Sequence, residues 1–254
     1  MKRAFSFVAG LVLCLGGRAA SPSESSSYGR FGAISIYRGS GEQRDVVLFV
    51  SGDGGWNLGV ISMAKHLADM GALVAGIDIR HYLEQLEKVA DECVSTSADF
   101  ENLSRYLQPK LNSGHYLQPI LVGYSSGATL VYATLVQAPQ GQFKGALSLG
   151  FSPDLDLKKP LCKGSGVEAT PRRSTDGMLK GVDFLPAKKL SGTWIVLQGE
   201  IDQVCPAPLT QKFVATVPDG TLVLLPKVGH GYSVEKNWLP QYEAAFDRIR
   251  RAPR

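Results

Sequence analysis

The stretch Leu121–Ala128 constrains the fold of this chain more than any other. It reads Leu-Val-Gly-Tyr-Ser-Ser-Gly-Ala, a short apolar strand that runs into Gly-x-Ser-x-Gly, and a helical pattern follows it. A serine on a sharp strand-to-helix turn is exposed above the sheet, and small neighbours let that turn close. The five-residue pattern alone is common in a chain with 28 glycines, so its surroundings give it weight. We predict that Ser125 is a nucleophile at such an elbow.

Strand and helix patterns alternate along most of the chain. Continuous apolar runs are typical of strands buried on both faces of a parallel sheet. Strands are predicted at 31–38, 46–50, 72–77, 120–124, 143–149, 193–198 and 221–225. Helical spacing follows Leu58, Ser97, the elbow, Pro208 and Trp238. Alternation with right-handed crossovers predicts one α/β-hydrolase domain over residues 31–254, with a mainly parallel, twisted sheet flanked by helices.

Residues 151–190 interrupt this alternation after the sixth strand region. The segment is rich in Pro, Gly, Lys and Arg and is too long for an ordinary connection. It carries eight basic and five acidic side chains. We interpret it as an insertion that forms a lid over the site and favours anionic headgroups; a solvated loop with scattered charge is the alternative.

The amino terminus has the features of an export signal. A basic start, an apolar stretch from Phe5 to Leu15 and a small-residue exit predict a signal peptide at 1–20, cleaved near Ala19 or Ala20. Lipid anchoring at Cys14 is not expected, because Leu13 does not suit a small-residue lipobox. Residues 21–30 are Ser-rich and are predicted to form a flexible leader.

Charge and cysteine content limit the partners and the cellular compartment that the chain can have. The formal net charge of +4 is too mild to indicate a nucleic-acid partner. Cleavage would leave Cys93, Cys162 and Cys205, and an odd number in an oxidising compartment suggests one disulfide and one free thiol. Of the three pairings we favour Cys162 with Cys205, on the expectation that both lie in loops at the same end of the sheet.

An acid and a histidine follow later strands, in the order that this fold requires. Asp202 follows the strand at 193–198, and His230 follows the strand at 221–225. A serine hydroxyl needs a base to accept its proton, and an imidazole can act at neutral pH when a carboxylate fixes its tautomer. We therefore assign His230 as the base and Asp202 as the acid, with Glu200 as the competing acid.

The glycine-dense loop Ser51–Trp56 follows the first long buried strand. In this fold one oxyanion donor is the amide after the nucleophile, here Ser126, and the other comes from this loop. We predict the amide of Asp53 or Gly54. Asp53, Trp56 and Tyr124 are also predicted to contact substrate, and we expect the Asp53 carboxylate to receive a substrate ammonium group.

These motifs together resemble the bacterial VirJ/AcvB virulence family. The resemblance rests on Ser-Gly-Asp-Gly-Gly-Trp at 51–56, Gly-Tyr-Ser-Ser-Gly-Ala at 123–128, the acid loop and Gly229-His230, and it covers the chain from about Asp45 onward. It implies a periplasmic α/β-hydrolase with Ser125, His230 and Asp202 in the catalytic roles. The histidine segment Val-Gly-His-Gly-Tyr departs from the family's usual Gly-Gly-His-His-Phe.

The resemblance also implies a substrate, aminoacyl-phosphatidylglycerol, which is an amino acid esterified to an anionic lipid headgroup. Members of the family are linked to type IV secretion and virulence, so secretion components or substrates are further expected partners. Neither a metal nor an organic cofactor is needed for this chemistry. The alternatives are a non-catalytic secretion accessory, or a generic carboxylesterase or lipase.

Overall fold

The computed structural model describes residues 24–111 and 114–252, so the predicted signal peptide and Cys14 lie outside the described residues. Eleven strands are found in this part of the chain. In chain order they are β1 (Glu24–Tyr28), β2 (Gly32–Tyr37), β3 (Asp45–Val50), β4 (Ala72–Ile77), β5 (Ile120–Tyr124), β6 (Gly145–Leu149), β7 (Asp154–Leu155), β8 (Ala169–Arg173), β9 (Leu179–Phe184), β10 (Thr193–Gly199) and β11 (Gly220–Leu225).

Eight of these strands form one sheet, in the order β1-β2-β4-β3-β5-β6-β10-β11. The six strands from β4 to β11 run parallel, and β2 and β1 continue the sheet antiparallel at one edge. The central strands β3, β4 and β6 are buried at every position, as their unbroken apolar runs predict. The predicted parallel sheet is confirmed.

Six α-helices in the described part of the chain cover the two faces of this sheet. They are α1 (Leu58–Asp69), α2 (Ile79–Glu87), α3 (Thr96–Leu107), α4 (Ser126–Gln137), α5 (Ala207–Val214) and α6 (Leu239–Arg250). Buried side chains of α1 and α6 share one apolar cluster, and those of α2, α3, α4 and α5 share the other. Each fully buried aliphatic or aromatic side chain stabilises this arrangement by roughly 1.5–3 kcal/mol.

The sequence interpretation missed two elements near the amino terminus. The Ser-rich segment predicted as a flexible leader contains β1, which pairs with β2 from Glu24 to Tyr28. Tyr28 stacks on Tyr106 of α3. This segment has no apolar period of its own, and residues distant in the sequence hold it in place. Helix α2 was also missed, although Asp78 caps it by accepting a hydrogen bond from the Arg80 amide.

The insertion after β6 is folded. Strands β7, β9 and β8 form a separate antiparallel sheet, and Arg172 of β8 pairs with Asp156 and Asp183. Leu155, Val182 and Phe184 are buried against the same apolar cluster as α4. The insertion is therefore a packed subdomain rather than a solvated loop. Its action as a lid stays a prediction.

The predicted disulfide was wrong. Cys93 is bonded to Cys162, and Cys205 is a buried free thiol. The pairing follows from a backbone bridge, in which the Val94 amide donates to Pro160 and the Cys162 amide donates to Val94. This bridge brings the loop before α3 against the insertion, which the linear order of elements did not reveal. No helix of the described residues is long and apolar enough to cross a bilayer.

Thiol counting tests this pairing on the mature chain. Without reductant, the denatured protein should release one thiol, from Cys205, and three after reduction. The native thiol should resist alkylation at pH 8, because burial raises the pKa of Cys205 to about 12 despite a hydrogen bond with Ser152. Removing the disulfide by C93S/C162S should cost about 2–5 kcal/mol in the free energy of unfolding. Alkylation of Cys93 or Cys162 without reductant would contradict the pairing.

Candidate active site

Ser125 occupies a strained turn between β5 and α4. Its φ of 55° lies in the left-handed region, which is rare for a residue with a side chain. A Cβ on Gly123 would collide with the Gly127 carbonyl oxygen, and one on Gly127 would collide with Ser51 and Val50. The Ser125 amide donates to the Leu149 carbonyl at 2.8 Å. The glycines therefore let the turn close, and the neighbouring strand anchors it.

The three residues predicted for catalysis lie together at the carboxyl ends of β5, β10 and β11. The Ser125 Oγ is 3.0 Å from His230 Nε2, and His230 Nδ1 is 2.9 Å from Asp202 Oδ2. The Asp202 side chain is fully buried, and that of His230 is 19% exposed. This order of contacts allows the imidazole to take a proton from the hydroxyl while the carboxylate holds its other nitrogen.

Backbone and side-chain donors orient the Asp202 carboxylate. Its Oδ1 accepts from the amides of Val204 and Cys205 at 2.9 and 2.8 Å, which leaves Oδ2 for His230. Glu200, the competing acid, is exposed, and the carboxylate bonded to the histidine belongs to Asp202. The loop register that sequence left open is thus fixed by two amides that point at one carboxylate oxygen.

Gln198 is a functional candidate that sequence reasoning missed. This fully buried side chain donates to Asp202 Oδ2 at 3.2 Å and to the Cys205 carbonyl at 2.6 Å, and it accepts from the Phe151 amide. It therefore ties the acid loop to the start of the insertion. In the sequence, the sign of this role is a lone amide side chain near the end of a buried apolar strand.

Tyr124 supports the histidine. Its hydroxyl donates to the His230 carbonyl at 2.8 Å, and its ring lies 5.4 Å from the imidazole, between centroids. Burial, with Asp202 and Cys205 nearby, raises its pKa to about 12, so the phenol stays protonated and keeps donating. Tyr124 therefore positions His230, and its predicted contact with substrate stays a prediction.

The glycine loop lies beside the nucleophile, as predicted. A Cβ on Gly52 would come 2.9 Å from the Ser125 Cβ. Asp53 and Gly54 are exposed, and within the described residues no hydrogen bond uses the amide of Asp53, Gly54 or Ser126 as its donor. Ser126 is the first residue of α4, where helix amides are left free. These amides are available to an oxyanion.

The loop is fixed by the junction of β4 and α2. Asp78 Oδ2 accepts from the Trp56 amide at 3.3 Å and from Arg80 Nη2 at 3.1 Å, and the Ile79 amide donates to Ser51 Oγ at 3.1 Å. Burial acts to raise the pKa of Asp78, but the hydrogen bonds from Arg80 and Trp56 outweigh it and lower the pKa. The carboxylate therefore stays charged and keeps holding the loop under mildly acidic conditions.

Trp56 makes structural contacts, and the substrate contact predicted for it stays a prediction. Its indole Nε1 donates to the Tyr37 hydroxyl at 3.1 Å, its ring meets Phe49 edge to face, and a Cβ on Gly76 would collide with it. It anchors the end of the glycine loop on β2, β3 and β4.

One group in the described residues has the composition of a metal site. Donor atoms of Asp202, Cys205 and His230 lie within 4.8 Å of one another. The carboxylate and the imidazole are hydrogen-bonded to each other, however, and the Cys205 pKa of about 12 keeps the thiol protonated, whereas metals bind thiolate. These residues fit a hydrogen-bonded triad better than a metal ligand set.

The sheet order, the elbow and the loops define a protein with the α/β-hydrolase fold. Several solved structures with this fold are similar to this chain over nearly their whole length. A putative dienelactone hydrolase from Klebsiella pneumoniae subsp. pneumoniae is 16% identical with a TM-score of 0.60, covering 90% of this chain and 98% of that one. Dienelactone hydrolase from Anabaena variabilis is 15% identical with a TM-score of 0.61, covering 93% and 100%. The esterase Est2 from Thermogutta terrifontis is 18% identical with a TM-score of 0.56, covering 91% and 94%.

The chain belongs to the VirJ family of bacterial virulence proteins, whose model matches residues 44–212. The match includes the glycine loop, the elbow and Asp202, and ends before His230. No curated protein matches the chain.

Replacement of Gln198 tests how the acid is held. Gln198→Leu keeps the volume but removes both donated hydrogen bonds, so kcat on a soluble ester should fall about tenfold or more, the equivalent of a charge-assisted hydrogen bond. The melting temperature should fall too, because the Cys205 carbonyl loses a buried donor. Gln211→Leu, on the exposed face of α5, is the matched control. An unchanged kcat in Gln198→Leu would show that Gln198 does not support Asp202.

Proposed function

We propose that this protein is a periplasmic serine esterase that hydrolyses the aminoacyl ester of aminoacyl-phosphatidylglycerol. The observation that carries the proposal is the contact of Ser125 Oγ with His230 Nε2 at 3.0 Å, continued to Asp202 at 2.9 Å. Membership of the VirJ family supports a role in bacterial virulence. The substrate comes from the family resemblance of the sequence motifs.

The geometry supports a two-step mechanism. Ser125 Oγ attacks the ester carbonyl as His230 Nε2 accepts its proton, and Asp202 stabilises the imidazolium. The carbonyl oxygen gains negative charge and is stabilised by the amide of Ser126 with that of Asp53 or Gly54. His230 then protonates the departing glycerol oxygen of phosphatidylglycerol. In the second step His230 activates water, which releases the free amino acid from the acyl-serine.

We assign to Asp53 the preference of the enzyme for an aminoacyl group. Its side chain is exposed in the glycine loop, which lies beside the nucleophile. An aminoacyl ester carries an ammonium group one carbon from its carbonyl, so the Asp53 carboxylate can pair with that cation while the backbone binds the oxyanion. The attraction between this carboxylate and an ammonium group favours a cationic acyl group over a neutral one.

The compartment is supported by the disulfide. Cys93 and Cys162 are bonded across 69 residues of sequence, and such bonds persist in oxidising compartments such as the periplasm. The predicted signal peptide would deliver the chain there.

Lipid hydrolysis by wild type and Ser125→Ala tests the proposal. Wild type should release the amino acid from lysyl- and alanyl-phosphatidylglycerol, and Ser125→Ala should lose at least about 10⁴-fold in rate, because the nucleophile is gone. Ser40→Ala, in an exposed turn, is the matched control. Asp53→Asn should lower kcat/KM for aminoacyl esters more than for neutral acyl esters.

Each alternative has its own outcome in this assay. Cleavage of simple esters alone would leave a generic esterase and remove the lipid substrate. No Ser125-dependent cleavage of any ester would contradict the enzymatic proposal and favour a binding role in secretion. An equal loss on neutral and aminoacyl esters would remove the ammonium role of Asp53.

A further inference from the structure

The loop that carries the catalytic acid also carries exposed apolar side chains. Asp202 points inward to His230, while its neighbours Ile201 and Val204 are 62% and 67% exposed. Leu209, in the first turn of α5, is 62% exposed. Exposed aliphatic side chains of this size are unfavourable in water, and a cluster of them indicates an interaction surface. We call Ile201, Val204 and Leu209 the apolar rim.

An apolar groove lies next to the rim, between α5 and the small sheet of the insertion. Its volume is about 620 Å³, within the usual range for small-molecule sites. Val204 and Leu209 of the rim line it together with Pro153, Pro186 and Phe213. A groove with proline, leucine and phenylalanine walls suits a hydrocarbon chain.

The groove approaches the candidate active site at one end. Ser152 lines it, and the Ser152 side chain lies beside Cys205. The Cys205 sulfur in turn lies within 4.8 Å of the donor atoms of Asp202 and His230. The end of the groove at Ser152 is therefore separated from the acid and base by the buried side chain of Cys205.

One cationic side chain of the groove, Lys212, can receive an anionic group. The other charged side chains of its lining are Arg172, Asp154 and Asp183. Arg172 is already paired with carboxylates, including Asp156 at 2.8 Å and Asp183 at 3.2 Å. In the described part of the chain no salt bridge involves Lys212, so its ammonium group remains available to a phosphate.

We propose that the groove binds a hydrocarbon chain of phosphatidylglycerol and that the apolar rim inserts into the bilayer surface around it. Lys212 then pairs with the lipid phosphate. The inference rests on the proposed function in that the bound lipid is the leaving group of the ester. It explains why the acid loop presents aliphatic side chains to solvent: the same loop positions the acid and holds the lipid substrate.

Vesicle flotation with a Ser125→Ala background tests the rim without any need for hydrolysis. The parent should float with vesicles of phosphatidylcholine and phosphatidylglycerol, and much less with phosphatidylcholine alone. Adding Val204→Ser or Leu209→Ser should weaken binding about tenfold, because each removes an apolar side chain from the bilayer. Val234→Ser makes the same change at another exposed valine and should bind like the parent. Lys212→Gln should reduce the preference for phosphatidylglycerol.

A monomeric lipid tests the groove itself. Dihexanoyl-phosphatidylglycerol, below its micelle concentration, should bind the Ser125→Ala protein, and Leu209→Ser should weaken that binding about tenfold. Glycerophosphoglycerol has the same headgroup without chains and should not bind. Equal binding of the two compounds would overturn the hydrocarbon site.

The outcomes separate this inference from the proposed function. Failure of the parent to float would contradict insertion of the rim into a bilayer and would favour a protein partner for this surface. Insertion would also be contradicted if Val204→Ser and Leu209→Ser bind vesicles as Val234→Ser does. A different result would overturn the proposed function alone: the wild type leaves aminoacyl-phosphatidylglycerol intact, but vesicle binding still depends on the rim. That result would support the rim as a membrane-binding surface. Thermal melts of each variant establish that it is folded, and exposed substitutions of this kind usually change stability by little.

Discussion

The close contact between the elbow and its neighbours is the constraint on which the site depends. Ser125 holds a left-handed backbone conformation that only surrounding structure can impose, and Gly123 and Gly127 provide the space for it. The anchor is the Leu149 carbonyl of β6, which accepts from the Ser125 amide. A larger residue at Gly123 would push α4 away from β5, and one at Gly127 would push α4 away from the end of β3. Either change would move the hydroxyl away from its base.

The parallel sheet turns this local constraint into a complete constellation. Strands β3, β5, β6, β10 and β11 are neighbours in the sheet and end at the same edge, so their loops converge around Ser125. Each loop is then held by polar contacts of its own. Two amides and Gln198 orient Asp202, Tyr124 holds the backbone of His230, and Asp78 holds the glycine loop. The geometry of Ser125, His230 and Asp202 is thus a property of the supporting contacts as much as of the three side chains themselves.

Sequence patterns predicted the parts of the molecule whose structure is determined by residues close together in the sequence. Buried apolar runs predicted the parallel strands, and glycine spacing predicted the elbow and the loop beside it. The order of acid and histidine predicted which residues the structure would bring together. Long-range packing was beyond these patterns: β1 is ordered by pairing with β2, and Cys93 meets Cys162 through the bridge at Val94. The supporting role of Gln198 was hidden for the same reason, because its partners are brought near by the turn of a loop.

Labelling with a fluorophosphonate tests most directly whether His230 activates Ser125 as a nucleophile. We expect the probe to lose fluoride and become bonded to Ser125 alone, as mass spectrometry of the peptide containing the elbow would show. His230→Ala should slow this labelling strongly while the protein stays folded, because the hydroxyl loses its base. Absence of an adduct, or an adduct on another residue at the same rate in His230→Ala, would contradict the account.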